Sequence, residues 1–283
     1  MEIYKSNFSK KKNFFSGMSI TNQLIIVNIL IFILLTIFFP NQIIHTGEKV
    51  VAILHPFIKN NIALDPILIL QGKNLWTILT SMFMHGNFFH IFANMFSLFF
   101  IGNFLEKLIG RKRFFWVYMI SGIIGGLFFV GASFFMGTST PAVGASGAIF
   151  GLLGVLAVLV PYSKVYLIAG PLILIIGDVI ISKILPASVY SGVSIFINFL
   201  IILMILSLFS FDGYLRKIAV PVELPMWLLP IIAIIPLIII GYFFTLPIGN
   251  SAHIGGLIVG LIYGFFLKKK FPNKTKKLRN LFK

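Results

Sequence analysis

One serine and one histidine in this chain have the surroundings that nucleophilic catalysis needs. Ser146 lies in Gly144-Ala145-Ser146-Gly147, and His253 lies in Ala252-His253-Ile254-Gly255-Gly256. A serine hydroxyl becomes a good nucleophile when an imidazole accepts its proton and later returns it to the leaving group. Glycines let a substrate approach the backbone, and N–H groups at a helix N-terminus can stabilise an oxyanion. The pair predicts attack on a carbonyl, although Gly-x-Ser-Gly alone is also typical of a structural helix cap.

A second polar pair, His90 and Asn94, is a candidate for binding that oxyanion. The two residues are four positions apart, so a helix presents both on one face. An imidazole N–H and an amide NH₂ are suitable donors, and they would supplement the backbone N–H of Ser146. His85 lies around the helix from His90, and we expect it to be structural, bonded to a loop carbonyl. Neither a metal nor a cofactor is expected, because the chain has no cysteine and no His-Glu-x-x-His motif.

Small residues offer a way to bring the serine and the histidine together. Three glycines follow His253 at intervals that keep them on its own helix face, namely Gly256, Gly260 and Gly264. A matching strip follows Ser146, namely Gly147, Gly151 and Gly154. Small residues at this spacing let two helices in a membrane pack backbone to backbone. We therefore expect direct contact between the helix that begins near Ser146 and the helix that contains His253.

The composition places these helices in lipid. Of the 283 residues, 58% are hydrophobic and 11% are charged, whereas soluble proteins carry roughly 25% charged residues. The mean hydropathy is +1.02. Runs of about 17–25 apolar residues mark membrane spans, and we predict eight, at 22–39, 83–104, 114–135, 145–160, 165–182, 193–211, 226–245 and 250–267. The predicted fold class is an all-α polytopic membrane protein.

The basic residues predict the orientation in the membrane. With both termini in the cytoplasm, the inner side has 19 of the 23 Lys and Arg residues and the outer side has 4. We expect a multi-pass protein of the cell membrane with a basic segment 1–21, a membrane domain 22–267 and a basic tail 268–283. The first apolar stretch is interpreted as an uncleaved helix rather than a secretory signal. The basic clusters are expected to contact membrane lipids, not nucleic acid, because no folded basic face remains.

Taken together, the motifs resemble those of rhomboid intramembrane serine proteases. The resemblance covers about 70–267 and rests on Phe83-Met84-His85-Gly86, His90-x-x-x-Asn94, Gly144-Ala145-Ser146-Gly147, and Ala252-His253-x-Gly-Gly256 with Gly260. Glu106 and Gly110 also fall where that family keeps these residue types. The resemblance implies a Ser146 nucleophile, a His253 general base and an oxyanion site formed by His90, Asn94 and the Ser146 N–H. It further implies transmembrane protein substrates and a water-accessible cavity. The supporting residues would be Phe150, His85, Gly144, Gly147, Gly256 and Gly260.

Three features depart from the family pattern. The family often has Trp-Arg in its first outer loop, where this chain has Trp76-Thr77. Phe150 stands where the family often has Tyr; it can stack under His253 but has no hydroxyl. The family core has six helices, so we interpret 226–245 as core helix five and 165–211 as an inserted helical hairpin. The stretch Leu75–Gly86 and this hairpin resemble archaeal members.

Other polar residues test rival functions. Asp178 is the only acid well inside a predicted span, so an aspartate dyad has no second member, and Lys183 is a candidate partner for it. Glu106 is expected to form an ion-pair anchor with the basic cluster Arg111–Arg113. The main alternative to a protease is a catalytically silent rhomboid-like protein that binds client membrane helices. A transporter or channel would need charged relays or paired broken helices. The sequence predicts no oligomeric state.

Overall fold

The computed structural model describes residues 17–46, 49–137, 140–207, 212, 214, 217–243 and 249–281. Most of these residues are helical, as the predicted fold class requires. The helices are α1 (Ile20–Phe38), α2 (Pro56–Asn61), α3 (Pro66–Leu70), α4 (Thr77–Thr80), α5 (Phe88–Ser97), α6 (Asn103–Ile109), α7 (Arg111–Met136), α8 (Ser146–Leu159), α9 (Ala169–Ile184), α10 (Ala187–Ser207), α11 (Leu229–Phe243), α12 (Asn250–Lys270) and α13 (Pro272–Leu281). Two antiparallel sheets pair β1 (Gln42–Thr46) with β2 (Lys49–Ile53), and β3 (Lys164–Ile168) with β4 (Pro221–Pro225).

Within the described residues, five helices are long and apolar enough to cross a membrane. They are Ile20–Phe38, Phe88–Ile109, Arg111–Met136, Ser188–Ser207 and Asn250–Lys270. The second of them combines α5 and α6 through a π-helical turn at Leu98–Gly102. Three further apolar helices are shorter, namely Ser146–Leu159, Ala169–Ser182 and Leu229–Ile239. All eight overlap predicted spans, but the shorter three fall below the usual spanning length, so the count of eight spans stays a prediction.

The start of the predicted fifth span differs from the structure. The sequence predicts helix from residue 165, but residues 164–168 form β3 and the helix begins at Ala169. β3 pairs with β4 in a register that runs from Lys164↔Pro225 to Ile168↔Pro221. Lys164 Nζ also lies 2.7 Å from Glu223 Oε1. An apolar run of this length does not distinguish strand from helix, and its β-branched and aromatic residues favour a strand once a partner is available.

The chain divides into two units. The first contains Met1–Val158 and Pro247–Lys270, and the second contains Leu159–Leu246 and Phe271–Lys283. In the first unit α12 packs along α7, and α1 contacts α5 and α6. The core of this unit includes the fully buried side chains of Leu98, Leu105, Phe114, Tyr118, Leu152 and Leu156. In the second unit α9 packs against α10, and the Tyr190 hydroxyl donates to Asp178 Oδ2 at 3.1 Å.

The segment between α1 and α5 holds the loop that leads into α8. Leu64 and Ala142 exchange two backbone hydrogen bonds, each of 2.9 Å. Further along, the Gly144 N–H donates to the Ser81 carbonyl oxygen at 2.8 Å. These bonds fix the backbone immediately before Ser146.

Glu106 caps α1, a role that was not predicted from the sequence. Its Oε1 accepts from the Ile20 N–H at 2.9 Å, and its Oε2 accepts from Thr21 N–H at 2.8 Å and Thr21 Oγ1 at 2.7 Å. The carboxylate is buried and lies at the positive end of the α1 dipole. Both oxygens therefore bind α1, which is far away in sequence and is joined to α6 through this contact.

Candidate active site

Ser146 is the first residue of α8, so its N–H has no partner inside the helix. The helix has 14 residues, which is about 21 Å at 1.5 Å per residue. Such a helix is shorter than the roughly 30 Å hydrocarbon core. Gly144, two residues earlier, has φ +127°, where L side chains are rarely found. This glycine allows the loop to turn sharply into α8.

Ser146 and His253 are in hydrogen-bonding contact. Ser146 Oγ lies 2.7 Å from His253 Nε2, although 107 positions separate the two residues. His253 lies in the first turn of α12 and is 7% exposed. Phe150, one helical turn after Ser146, stacks on the imidazole with a centroid distance of 4.6 Å and an interplanar angle of 23°. Among the described residues, none hydrogen-bonds to His253 Nδ1.

Backbone contact between α8 and α12 produces this approach. A Cβ on Gly256 would overlap the carbonyl oxygen of Gly147, and a Cβ on Gly260 would overlap that of Gly151. Farther along, a Cβ on Gly264 would lie 2.9 Å from the Cβ of Val158. The two glycine strips that the sequence analysis identified therefore face each other.

His90 directs a ring nitrogen at the space beside Ser146. It lies in the first turn of α5, where Asn87 Oδ1 accepts its N–H at 2.8 Å. The Gly86 N–H donates to His90 Nδ1 at 3.4 Å, so a neutral ring carries its hydrogen on Nε2. A Cβ on Gly144 would lie 2.7 Å from His90 Nε2 and 3.9 Å from Ser146 Oγ. The missing side chain of Gly144 thus leaves open a space that both groups reach.

Asn94 and His85 both contact His90, Asn94 through a hydrogen bond and His85 through its ring. Asn94 is 6% exposed, and its Nδ2 donates to the His90 carbonyl oxygen within α5 at 2.8 Å. An amide NH₂ has a second hydrogen, so this bond leaves Asn94 with one more donor. His85 is fully buried, and its ring meets that of His90 edge-on at a centroid distance of 5.0 Å.

The contribution of α7 was not predicted from the sequence. A Cβ on Gly125 would lie 2.7 Å from the carbonyl oxygen of Ala252, and the side chain of Ser121 fills the space beside Gly151. α7 therefore contacts both α8 and α12 through small residues. The signal was present in the sequence, since Ser121, Gly122, Gly125 and Gly126 form one narrow helix face.

Side-chain hydrogen bonds to backbone carbonyl oxygens hold the segment from Asn60 to Thr80 together. Trp76 Nε1 donates to the Asn61 carbonyl oxygen at 2.9 Å. Thr77 Oγ1 donates to the Asn74 carbonyl oxygen at 2.8 Å. Thr80 Oγ1 donates to another carbonyl oxygen of this loop at 3.0 Å.

Comparison with known proteins identifies a domain. The family described as Rhomboid domain matches residues 72–204. The matched range includes the histidines of α5 and its approach, Asn94 and Ser146, and it ends before His253. It also extends through most of 165–211, the segment that the sequence analysis interprets as an insertion.

Several curated relatives share part of this range. RHOMBOID-like protein 1 of Arabidopsis thaliana is 42% identical over 92 residues, which is 32% of this chain and 23% of that protein. Inactive RHOMBOID-like protein 8 of the same plant is 38% identical over 84 residues, 30% of this chain and 23% of the relative. Rhomboid-like protease 1 of Toxoplasma gondii is 40% identical over 90 residues, 32% of this chain and 29% of the relative.

The matches thus span less than a third of the length of each of these relatives. Even so, the domain match and the relatives agree with one another and with the resemblance found in the motifs. Together with the long apolar helices, they show that residues 72–204 are similar to the Rhomboid domain and that the chain is a multi-pass membrane protein.

Proposed function

We propose that this protein is an intramembrane serine endopeptidase in which Ser146 is the nucleophile and His253 is the general base. The observation that carries the proposal is the 2.7 Å separation of Ser146 Oγ and His253 Nε2. The ring of Phe150 supports it, because stacking limits the orientations open to the imidazole. A relative named as a protease, from Toxoplasma gondii, adds support at the level of the family.

In the proposed reaction the same imidazole accepts a proton and returns it twice, once in acylation and once in deacylation. Ser146 Oγ attacks the carbonyl carbon of a peptide bond while its proton moves to His253 Nε2. The oxyanion accepts hydrogen bonds from His90 Nε2, Asn94 Nδ2 and the Ser146 N–H. The C–N bond then breaks as His253 protonates the leaving amine, which leaves an acyl ester on Ser146. Water, deprotonated by His253, attacks the carbonyl carbon of this ester. The C–O bond to Ser146 then breaks, the carboxylic acid product leaves, and the imidazole returns the proton to Ser146 Oγ.

The proposed substrates are transmembrane protein helices. Hydrolysis needs water, and the shortness of α8 supports a site that begins below the membrane surface in a cavity open to the outer side. We place the protein in the cell membrane with both termini in the cytoplasm and eight spans. The uneven distribution of Lys and Arg supports this orientation.

The second candidate function is a silent rhomboid-like binder of client membrane helices. The observation in its favour is a relative, from Arabidopsis thaliana, that is named inactive. Retention of both Ser146 and His253 in hydrogen-bonding contact favours the protease.

Labelling with a fluorophosphonate probe separates these two functions. The probe reacts with an activated serine, so we expect membranes with the wild-type chain to be labelled and those with Ser146→Ala or His253→Ala to remain unlabelled. Ser191→Ala is the matched control, because it removes an exposed hydroxyl in α10. Equal labelling of Ser146→Ala and wild type would overturn the serine assignment. Absence of labelling and of transmembrane-substrate cleavage by folded wild type would favour the silent binder.

A further inference from the structure

An open cavity of about 250 Å³ lies where three helix ends meet. It is more than two helical turns beyond Asn94 along α5 and α6, so it is separate from the proposed active site. Its lining comes from the N-cap of α1, from α6, from the residue between α6 and α7 and from the first residue of α7, and consists of Ser19, Asn103, Glu106, Lys107, Gly110 and Arg111.

The charge around this cavity is positive. Glu106 is the only acid between Asp65 and Asp178, and its two oxygens already accept hydrogen bonds from α1. Lys107 and Arg111 line the cavity and are exposed. Among the described residues Lys107 has no ion-pair partner. The next two residues of α7 are also basic, so an anion entering the cavity meets an excess of positive charge.

The position of the cavity indicates which anion is available. The ends of spanning helices lie at the boundary between hydrocarbon and water, where phospholipid phosphates are concentrated. Exposed aromatic side chains lie within about one and a half helical turns of the lining residues along the chain. Phe99 and Phe100 precede Asn103, and Trp116 follows Arg111 by just over one turn. These side chains offer an apolar surface for acyl chains, which a free phosphate ion could not use.

We infer that this cavity binds the phosphate group of an anionic phospholipid through Lys107 and Arg111. A guanidinium can bind phosphate oxygens in a bidentate manner, and an ammonium contributes a compact charge. The hydrogen bond from Ser19 Oγ to Asn103 Oδ1, of 3.1 Å, closes the polar wall of the site. The lipid would thereby connect the end of α1 to the turn between α6 and α7.

The test measures thermal unfolding of the purified full chain during titration with dioctanoyl phosphatidylglycerol. We expect the lipid to raise the unfolding temperature of the wild type. The double variant Lys107→Gln/Arg111→Gln should need at least about tenfold more lipid for the same shift, since the two basic side chains of the cavity that attract the anionic headgroup are removed. The control Lys268→Gln/Lys269→Gln removes two exposed charges outside the cavity and should respond like the wild type.

Parallel titrations with inorganic phosphate and with dioctanoyl phosphatidylcholine identify the source of the phosphate. Both should give a much smaller shift than phosphatidylglycerol at equal concentration. An equal shift with inorganic phosphate would assign the cavity to a free ion, and an equal shift with phosphatidylcholine would remove the requirement for an anionic lipid. Loss of the lipid response in the control Lys268→Gln/Lys269→Gln would mean that the basic residues attract anionic lipid together, without a specific site at the cavity. If the double variant does not fold, the single variant Lys107→Gln and native mass spectrometry of retained lipid provide the same comparison.

Discussion

The carbonyl oxygen of Gly147 occupies the space that a Cβ on Gly256 would need. Because of this contact, no side chain fits between the backbones of α8 and α12 at this position. Ser146 precedes Gly147 directly, and His253 lies one helical turn before Gly256. The helix contact therefore determines the 2.7 Å separation of Ser146 Oγ and His253 Nε2.

Gly256→Val should weaken both the fold and the proposed reaction. The valine side chain would meet the backbone of α8 at Gly147, which cannot give way as a flexible side chain could. α12 must therefore move away from α8, and we expect the free energy of unfolding to fall by about 1–3 kcal/mol or more. We expect a lower unfolding temperature in detergent and loss of fluorophosphonate labelling. Gly131→Ala is the control, because a Cβ on Gly131 would have no neighbour within 4 Å. Wild-type stability and labelling in Gly256→Val would contradict the close packing of the two helices.

Gly144→Ala should reduce activity more than stability. The new Cβ would lie 2.7 Å from His90 Nε2 and would fill the space next to Ser146 Oγ. The backbone strain at φ +127° adds to the effect. We expect kcat for a transmembrane substrate to fall by at least about tenfold, in keeping with the loss of one oxyanion donor. Gly137→Ala separates the two causes, because Gly137 has φ +64° and open space around it. Equal losses of activity in both variants would point to strain alone.

The sequence predicted the candidate site best where reactive residues and helix-packing residues lie next to one another in the chain. Ser146 and His253 are recognisable because polar residues are rare in apolar spans, and the glycine strips beside them have helical spacing. Both features are local in sequence, so their prediction needs no knowledge of which helices are neighbours.

The missed features depend on contacts between distant segments. β3 becomes a strand because β4 pairs with it some 57 positions later. Glu106 caps α1 because the fold brings the start of α1 to α6, and the nearby arginines suggested a different partner. The role of α7 was missed because its small residues stand beside no reactive group, although they pack against both helices of the site.

Asn94→Ala should slow cleavage by about 10- to 1000-fold if Asn94 binds the oxyanion. Its stability should change little, because the hydrogen bond that Asn94 makes is local to α5. Asn198→Ala provides a matched control, since Asn198 Nδ2 donates to the carbonyl oxygen four residues earlier at the same 2.8 Å, in α10. The measurement is kcat and KM for one transmembrane substrate. An unchanged kcat in Asn94→Ala would remove Asn94 from the oxyanion site.

Glu106→Gln should lower stability while leaving the serine reactive. The carboxylate accepts three hydrogen bonds from Ile20 and Thr21, whereas an amide has one acceptor oxygen and directs an NH₂ at one of these donors. Leaving a buried donor without an acceptor costs about 1–3 kcal/mol, so the unfolding temperature should fall. Glu223→Gln removes the same charge from an exposed ion pair, where little loss is expected. Fluorophosphonate labelling of folded Glu106→Gln should match the wild type, because the carboxylate positions α1 and not Ser146. Equal unfolding temperatures for the two variants would show that the cap on α1 contributes no more than a surface pair.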